Sequence, residues 1–330
     1  MKRVISVSRV LAYVSIFFIV FGCTPQASPQ TTYSVAFVML TTRDQPAQPQ
    51  DLAKIRQLKE DFSEAFASAT DHKVTLDIRS PVTELNANRD LYQDPLQATK
   101  AFYQNKQDAF DFIIFFSMEN MGRSMIVVKN NIEGIGLPLI DNTSTFGSKG
   151  MLKAIIMAGN LYQEKEHKQK ELLHLLGHRW CCYVGNSIDE GELGILDASH
   201  THWFEGLEAP AEEPLGAQVI VNNNDGTFMY RSSCDSQQSL HVRYHPFVLY
   251  FMGLSQPQDL KETYNVWYST ATSPDTYTTD RCNTSMKGEI YFNVNVYDLI
   301  KKAGDRKEIS DEDLQQYVRD HGSQYWVIND

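Results

Sequence analysis

The order of apolar segments between residues 33 and 128 most constrains the fold. YSVAFVMLTT (Tyr33–Thr42) is typical of a buried strand, and DLAKIRQLKEDFSEAFASAT (Asp51–Thr70) repeats its apolar residues at helical spacing. KVTLDI alternates as a strand, DPLQATKAFYQNKQ has a proline in its first turn as helices do, and FDFIIFFS and SMIVVK have the composition of strands. This order predicts an α/β (α+β) fold with a mixed sheet at its centre.

The second half of the chain carries one helical segment rich in leucine and histidine, followed by long loops. We expect this helix from about Glu164 to Cys181, packed against the sheet edge. Beyond it, GTFMYR and EIYFNVNVYDLI are typical of strands, whereas PFVLYFMGL and SDEDLQQYVRDH are typical of helices. No repeat, low-complexity tract or Pro/Gly-rich linker follows Thr32, so residues 34–330 are predicted to form a single domain.

The N-terminus has the charge pattern of a secretory signal peptide. Lys2, Arg3 and Arg9 flank or precede the run VLAYVSIFFIVFG, which is too short for a membrane span of about 20 residues but fits a signal core. The VFGC at its end resembles the bacterial lipoprotein cleavage box. This resemblance implies that residues 1–22 are removed and that Cys23 carries lipid such as palmitate. A plain signal peptide and a short anchor helix are the alternatives.

A polar segment, residues 23–33, is predicted to tether the body of the protein to the membrane. CTPQASPQTT is rich in Pro, Ser and Gln, the composition of a solvated linker. Thr24 follows the cysteine in place of an aspartate, which by resemblance implies an outer-membrane or cell-surface lipoprotein of the bacterial envelope. The lipid at Cys23 is therefore the expected contact with the membrane.

The mature chain is expected to be strongly acidic. The full chain has a formal net charge of −11, and removal of residues 1–22 takes away three positive charges and no negative ones, which leaves −14. An acidic surface repels phosphate backbones, so nucleic acid is excluded as a partner. The sequence also lacks a Gly-rich phosphate loop and a G-x-S-x-G elbow, so catalysis by serine or cysteine has no support.

Four cysteines remain for disulfides once Cys23 carries lipid. In the oxidising envelope an even number of cysteines favours disulfides, and four cysteines allow three pairings. A bond between the neighbours Cys181 and Cys182 would close a strained ring, so we expect each to pair with Cys234 or Cys282. A four-thiolate zinc site is the weaker alternative, because no C-x-x-C spacing is present.

The segment KELLHLLGHRWCC places His174 and His178 four residues apart on the predicted helix. At this spacing both imidazoles lie on one face, one turn apart, where they can bind one Zn²⁺. The spacing alone is a weak signal, because a chain with nine histidines can contain such a pair by chance. A metal site and an ordinary amphipathic core helix are both compatible with it.

This helix and its flanking segments resemble a family of secreted or lipid-anchored bacterial proteins, zincin-like metallopeptidases whose site helix reads H-E-L-G-H-R-W. ELLHLLGHRWCCYV is similar to that helix, HTHWF to the family's histidine–tryptophan segment, and YHPFVLYFMGL to its Y-S-P-L-D-x-Y-L-M-G-L segment. FDFIIFFS, EGIGLPLID and VNVYDLIKKAGDR follow the family's order, so the resemblance covers about Phe110–Arg306. It implies a zincin-like domain that binds Zn²⁺.

The resemblance also implies the ligand set. His174 and His178 correspond to the first two ligands of the family. His202 of HTHW corresponds to the third, because Trp203 stands where the family has its tryptophan. His200, two residues earlier, is the competing third ligand.

Two acidic positions of the family pattern are aliphatic in this chain. Leu175 replaces the glutamate that takes a proton from zinc-bound water, and Val248 stands at a position that is often aspartate. Glu171 is the candidate replacement base, although it lies about 6 Å back along the helix axis from position 175 and leans further away. Glu205 in the following loop is a further candidate.

Three functions are compatible with these observations. The loss of the glutamate favours a cell-envelope lipoprotein with a metallopeptidase-like zinc site that is catalytically impaired and binds a peptide or protein. One alternative is an active zinc metallopeptidase that uses Glu171 or another carboxylate as base, with Tyr244 or His245 as a candidate electrophile. The other is a structural lipoprotein without metal. A carboxylate base beside the metal would distinguish the active enzyme from the other two.

Overall fold

The computed structural model describes residues 31–86, 94–119, 121–162, 168–184, 193–197, 199, 201–225, 227–231, 242–261, 263–269 and 283–329. The strands in these ranges are β1 (Thr31–Thr41), β2 (Val74–Asp77), β3 (Thr83–Asn86), β4 (Phe112–Ser117), β5 (Arg123–Val127), β6 (Lys129–Asn130), β7 (Ile132–Glu133), β8 (Ile140–Asp141), β9 (Ala154–Asn160), β10 (Val219–Asn222), β11 (Thr227–Arg231), β12 (Tyr264–Ser269), β13 (Asn283–Val294), β14 (Lys307–Glu308) and β15 (Trp326–Asn329). The helices are α1 (Pro49–Ala69), α2 (Pro95–Tyr103), α3 (Lys168–Gly177), α4 (Pro246–Phe251), α5 (Val296–Ala303) and α6 (Asp311–His321).

The central sheet is mixed. Its strands lie in the order β15-β5-β9-β4-β1-β2, and β3 also pairs with β1. β1 runs parallel to β2, β3 and β4, and β4 runs parallel to β9. β5 is antiparallel to β9, and β15 is antiparallel to β5. The predicted α/β (α+β) fold with a mixed sheet is therefore confirmed.

Helices cover both faces of this sheet, which explains why its central strands are apolar at successive positions. In β4, Phe112, Ile114 and Phe116 enter the core that contains α1 and α3. Ile113 and Phe115 enter the core that contains α2. A strand that is buried on both faces needs apolar side chains without alternation, and FDFIIFFS supplies them.

Helix α1 packs on β2 and α3 through one apolar stripe. Pro49 occupies its first turn, and the Asp51 carboxylate accepts a hydrogen bond of 2.7 Å from the Gln48 N–H, so this end of the helix is capped. The stripe consists of the buried residues Ile55, Leu58, Phe62 and Phe66, as the periodicity predicts. Each large apolar side chain buried in this way contributes about 1.5–3 kcal/mol.

The C-terminal half contains a second, antiparallel sheet in the order β10-β11-β13-β12. The segment EIYFNVNVYDLI, predicted to be one strand, is strand only as far as Val294, and α5 begins at Val296. The change occurs because Asn295 caps α5, accepting hydrogen bonds from the Tyr297 and Asp298 N–H groups. A polar side chain therefore ends the strand and starts the helix.

Strand β1 begins at Thr31, so the last three residues of the predicted tether belong to the sheet. Residues 31–330 form one compact unit. The predicted signal peptide and Cys23 lie outside the described residues. Within the ranges that the structure describes, no helix combines the length and apolar character needed to cross a membrane.

Candidate metal centre

Helix α3 carries two of the predicted ligands. It ends at Gly177 and not at Cys181, because the following residues form turns. The Arg179 and Trp180 N–H groups each donate to the carbonyl oxygen three residues back, those of Leu176 and Gly177, at 3.0 Å. Its first described residue is Lys168, and residues 163–167 lie outside the described ranges. The helix is therefore shorter at its C-terminal end than the sequence predicts.

Buried leucines and one glycine determine how α3 sits in the core. The buried leucines are Leu172, Leu173, Leu175 and Leu176. A Cβ at Gly177 would lie 2.9 Å from both Leu215 Cδ1 and Tyr244 Cε1, so only glycine allows this close approach. The close approach brings the end of α3 against the segment around Leu215. The Pro214 carbonyl oxygen in this segment contacts His174.

Three histidine side chains converge beside α3. The Nε2 atoms of His174 and His178 are 3.2 Å apart, and the Nε2 atoms of His174 and His202 are also 3.2 Å apart. One ligand atom of each residue lies within 4.8 Å of the others. The structure thus brings together the three histidines that the resemblance implies as ligands. His200, the competing ligand, lies outside the described residues.

The other ring nitrogen of each helix histidine meets a backbone carbonyl oxygen. His174 Nδ1 lies 2.8 Å from the Pro214 carbonyl oxygen, and His178 Nδ1 lies 3.1 Å from the Cys181 carbonyl oxygen. A carbonyl oxygen only accepts hydrogen bonds, so both Nδ1 atoms carry a proton. The neutral form of each ring then presents a lone pair at Nε2.

His202 Nδ1 faces a small polar cluster in its own loop. It lies 3.4 Å from the Asp197 carboxylate, 3.2 Å from Ser199 Oγ and 3.1 Å from Thr201 Oγ1. Burial alone would raise the pKa of Asp197, but the hydrogen bonds from the Ser199 hydroxyl and the His202 backbone N–H hold it below its usual value. The carboxylate favours the proton on Nδ1, as it does for many metal-binding histidines.

Trp203 anchors the loop that carries His202. Its ring is buried against the rings of His245 and Phe247, with centroid distances of 5.7 and 6.1 Å. Its backbone N–H donates to the Leu215 carbonyl oxygen at 2.8 Å. The tryptophan in HTHW therefore fixes the backbone next to the candidate ligand.

Glu171, the candidate replacement base, is ion-paired. Its Oε2 lies 2.8 Å from Lys168 Nζ, and its Oε1 lies 3.7 Å from the Arg123 guanidinium. The side chain is only 8% exposed. Because Arg123 is the first residue of β5, this carboxylate joins α3 to the central sheet. The structure gives Glu171 a role in packing and charge balance.

The two aliphatic replacements are core residues. Leu175 on α3 and Val248 on α4 are fully buried in the core that contains α1 and α3. Glu205, the other candidate base, is exposed in the loop after Trp203. None of these three positions therefore presents a buried carboxylate.

The candidate electrophiles Tyr244 and His245 are both engaged in structural hydrogen bonds. The Tyr244 hydroxyl donates to the Leu173 carbonyl oxygen at 2.6 Å. His245 Nδ1 accepts from the Phe247 N–H at 3.1 Å and caps α4, while Nε2 lies 3.1 Å from the Glu208 carbonyl oxygen. Burial lowers the pKa of His245 to about 3, so the ring is neutral at pH 7.

Glu213 is a residue of the site that sequence reasoning misses. Its carboxyl group accepts a 2.6 Å hydrogen bond from the Leu215 N–H and so holds the turn whose Pro214 carbonyl oxygen meets His174. Burial raises the pKa of Glu213 to about 8, although this hydrogen bond lowers it. In the run EAPAEEP, no pattern separates Glu213 from Glu212, so only the fold identifies it.

The expected cysteine pairing is wrong for Cys181 and Cys182. These neighbours are bonded to each other, with an S–S distance of 2.18 Å, and the peptide bond between them is cis. Their Cα atoms are 3.1 Å apart. Neither sulfur is then a thiolate, which removes the four-thiolate zinc site. Cys234 and Cys282 lie outside the described residues.

Comparisons with known proteins add little to this geometry. No protein-family model and no curated protein sequence matches the chain. Among solved structures, the chain is similar to archaemetzincin from Methanopyrus kandleri, with a TM-score of 0.28 and 14% sequence identity. The match covers 50% of this chain and 81% of archaemetzincin. The histidine site itself is therefore the main evidence for function.

Proposed function

We propose that His174, His178 and His202 together bind one Zn²⁺ in a metallopeptidase-like site that lacks its catalytic base, in a lipid-anchored protein of the bacterial envelope. The convergence of three Nε2 atoms carries the proposal. Each of these atoms belongs to a ring whose Nδ1 faces a hydrogen-bond acceptor.

The donor set fits zinc better than it fits a hydrogen-bonded cluster. Lone pairs that face one another repel unless a cation or proton lies between them, and one shared proton joins only two nitrogens. Zn²⁺ binds imidazole nitrogens at about 2.0–2.1 Å in tetrahedral geometry, which separates two nitrogens by about 3.3 Å. Two of the three separations, from His174 to His178 and from His174 to His202, are 3.2 Å. The separation between His178 and His202 is within 4.8 Å. Hard cations such as Mg²⁺ and Ca²⁺ need oxygen ligands instead.

The residues around the site favour binding over hydrolysis. A zinc ion with three protein ligands supplies one open position, where it polarises water or a carbonyl group. Leu175 cannot accept a proton, and Glu171 is held by Lys168 and Arg123. Loss of a general base typically costs about 10²–10⁴-fold in rate. We therefore infer a site that holds a peptide or protein ligand and hydrolyses it slowly or not at all.

Metal analysis of the purified protein tests the zinc site. We expect one zinc per chain in the natural protein and loss of most of this zinc in His174→Ala. His321→Ala is the matched control, because His321 is an exposed histidine on α6. Equal zinc content in all three proteins would contradict the assignment of His174.

A protease assay with added zinc and casein as substrate tests the loss of catalysis. We expect no robust cleavage by the natural protein and a gain of cleavage in Leu175→Glu, with Leu175→Gln as the control of similar size. Because Leu175 is buried, thermal unfolding must first show that both variants fold. Robust cleavage by the natural protein, abolished by a chelator and by Glu171→Gln, would overturn the proposal and make Glu171 the base.

Membrane fractionation tests the lipid anchor. Two or more acyl chains are needed for stable retention, because a single chain gives only marginal membrane binding. We expect the natural protein in the membrane fraction and Cys23→Ser in the soluble fraction. A Cys23→Ser protein that stays in the membrane fraction undiminished would exclude this anchor.

A further inference from the structure

A cavity of about 730 Å³ lies between the end of α6, the loop before β8 and the start of β15. Its volume is within the range of about 300–1,000 Å³ that is typical of ligand pockets. It is lined by residues 138–140, by Tyr317 and His321 of α6, and by residues 322–327. These lining residues include no Asp, Glu, Lys or Arg, whereas such residues make up 22% of the chain.

Aromatic and aliphatic side chains form part of the walls of this cavity, beside the uncharged polar side chains of Ser323 and Gln324. The rings of Tyr317 and His321 stack on α6 with a centroid distance of 4.3 Å and an angle of 20°. Tyr325, Trp326 and Val327 are 37, 41 and 44% exposed, so three consecutive large side chains face solvent. Tyrosine and tryptophan provide large rigid contact surfaces at a low cost in conformational entropy.

The same segment forms an edge of the central sheet. β15 is the terminal strand in the sheet order, and it pairs with β5 on one side only. In an antiparallel ladder every second residue directs its N–H and C=O to the same neighbour. Two of the four residues of β15 therefore direct these groups away from β5. No other strand in the described part of the chain pairs with them.

This edge is held rigidly in place. Ile328 is buried in the core that contains α1 and α3. The ring of Tyr325 packs edge-on against the ring of Phe146, with a centroid distance of 5.1 Å. Ser323 Oγ accepts hydrogen bonds from the Asp141 N–H and the Asn142 amide at 3.0 and 2.9 Å. The strand and the cavity wall are thus preorganised, which reduces the entropic cost of binding a ligand.

We propose that β15 and this cavity bind an extended, uncharged polypeptide segment of a protein partner, which adds a strand to the sheet edge and places apolar side chains in the cavity. Backbone N–H and C=O groups of a peptide match the alternating groups of β15, which a lipid or a glycan does not. A charged side chain would lose its water without gaining an opposite charge in the cavity. The site involves none of the three histidines, so it is independent of the proposed zinc site.

A panel of fluorescent, end-blocked hexapeptides tests the proposal. Each peptide alternates threonine with valine, leucine, phenylalanine or tyrosine and carries no charge. We expect at least one to bind the purified protein saturably in fluorescence anisotropy. Hydrogen exchange at residues 326–329 is expected to slow when that peptide is bound. If no peptide binds with a Kd below about 1 mM, which corresponds to only about −4 kcal/mol, the proposal is wrong.

N-methylation distinguishes strand addition from other binding modes. Two versions of the bound peptide are methylated on alternate amides. In one version the methylated amides face β15, and we expect binding to be abolished. In the other version the methylated amides face solvent, and we expect binding to stay intact. Equal affinity of the two methylated peptides would overturn strand addition. Saturable binding of chitohexaose, with none of the peptides, would replace the proposal with a glycan site.

Matched variants locate the site. We expect Tyr317→Ala to weaken peptide binding about tenfold and Val327→Glu to weaken it more, because it places a charge at the cavity. Tyr297→Ala and Tyr291→Glu change exposed tyrosines elsewhere and are expected to bind as the natural protein does. His174→Ala is also expected to bind normally, so the failure of the zinc proposal and the failure of this one are distinguishable. Identical binding by all the variants would place the peptide elsewhere.

Discussion

At the scale of single residues, the candidate metal site depends on atoms that lie behind the ligand nitrogens. Two Nδ1 atoms meet carbonyl oxygens, and the third meets Asp197 and two hydroxyl groups. These contacts select the ring form that presents Nε2 to a metal ion, and they fix the orientation of each ring. The proposed zinc affinity therefore depends on residues that never contact the metal.

Asp197→Asn tests the support of His202. The amide keeps the size of the side chain but loses the negative charge that favours the proton on His202 Nδ1. We expect zinc affinity, measured by competition with a chromophoric chelator, to fall about 10–100-fold. Asp225→Asn is the control, because Asp225 makes a similar local contact with Thr227 in an exposed turn. Equal affinity of the two variants would show that Asp197 does not support the site.

His245 gives the folded protein a defined sensitivity to acid. Burial lowers the pKa of His245 from 6.5 to about 3, so below pH 6.5 the unfolded chain takes up a proton that the folded protein excludes. The neutral ring therefore contributes its full stabilisation above pH 6.5, and this contribution is lost as the pH falls towards 3. At pH 4 the loss amounts to roughly 3 kcal/mol.

His245→Asn is expected to reduce this sensitivity. The asparagine Oδ1 can still accept the hydrogen bond from the Phe247 N–H, and the side chain has no proton to gain. Urea unfolding at pH 7 and pH 4 measures the change. We expect the drop in unfolding free energy between the two pH values to be roughly 3 kcal/mol smaller in the variant. A drop of equal size in both proteins would contradict the assignment.

At the scale of elements, α1 and α3 form one layer on the face of the central sheet. They pack on each other, and both contribute to the same core. Arg123 and Glu171 also join β5 to α3 at a distance of 3.7 Å. The two helix histidines are thus positioned by a layer whose stability comes mainly from apolar packing.

Phe62→Ala tests this packing. Phe62 is fully buried on α1, where its ring contacts those of Phe37 and Phe66. We expect a loss of about 3–5 kcal/mol in unfolding free energy, because the substitution removes apolar contacts and leaves a cavity. The exposed Gln57→Ala on the same helix is expected to stay within about 0.5 kcal/mol of the natural protein. Urea titration measures both values, and similar values would exclude a core role for this stripe.

At the scale of the whole molecule, the site joins two halves of the chain. Two histidines come from α3 beside the central sheet, and His202 comes from the loops that lead to the second sheet. A metal ion bound by all three would cross-link these parts in the folded state only. Binding to the folded state alone stabilises a protein by mass action.

Zinc is therefore expected to raise the melting temperature. At a free zinc concentration 100 times the Kd, the stabilisation is about 2.7 kcal/mol, which corresponds to a rise of about 5 °C in a domain of this size. Calorimetry with zinc and with a chelator measures the shift. The His174→Ala variant is the control, and we expect no such shift there. An equal shift in the variant would show that zinc binds elsewhere.

Much of the fold follows from the sequence, because local patterns reflect local environments. The strand segments FDFIIFFS and SMIVVK and the helix segment around Phe62 all lie where their periodicity predicts. The sequence does not predict β15, since QYWVIND is short and its strand character depends on pairing with β5. The pattern predicts strand at Val296, where a helix begins, because the N-terminal cap of that helix is a single asparagine within an apolar run.

The sequence by itself determined the α/β layering and the pair His174 and His178, because both depend on spacing within one element. Only the tertiary structure decided what depends on distant contacts. It brought His202 to within 3.2 Å of His174, buried Glu213 behind the site and paired Glu171 with Arg123. It also joined Cys181 to Cys182, against the expected pairing. Spacing along a chain fixes which residues share a helix face, whereas chain folding fixes which elements meet.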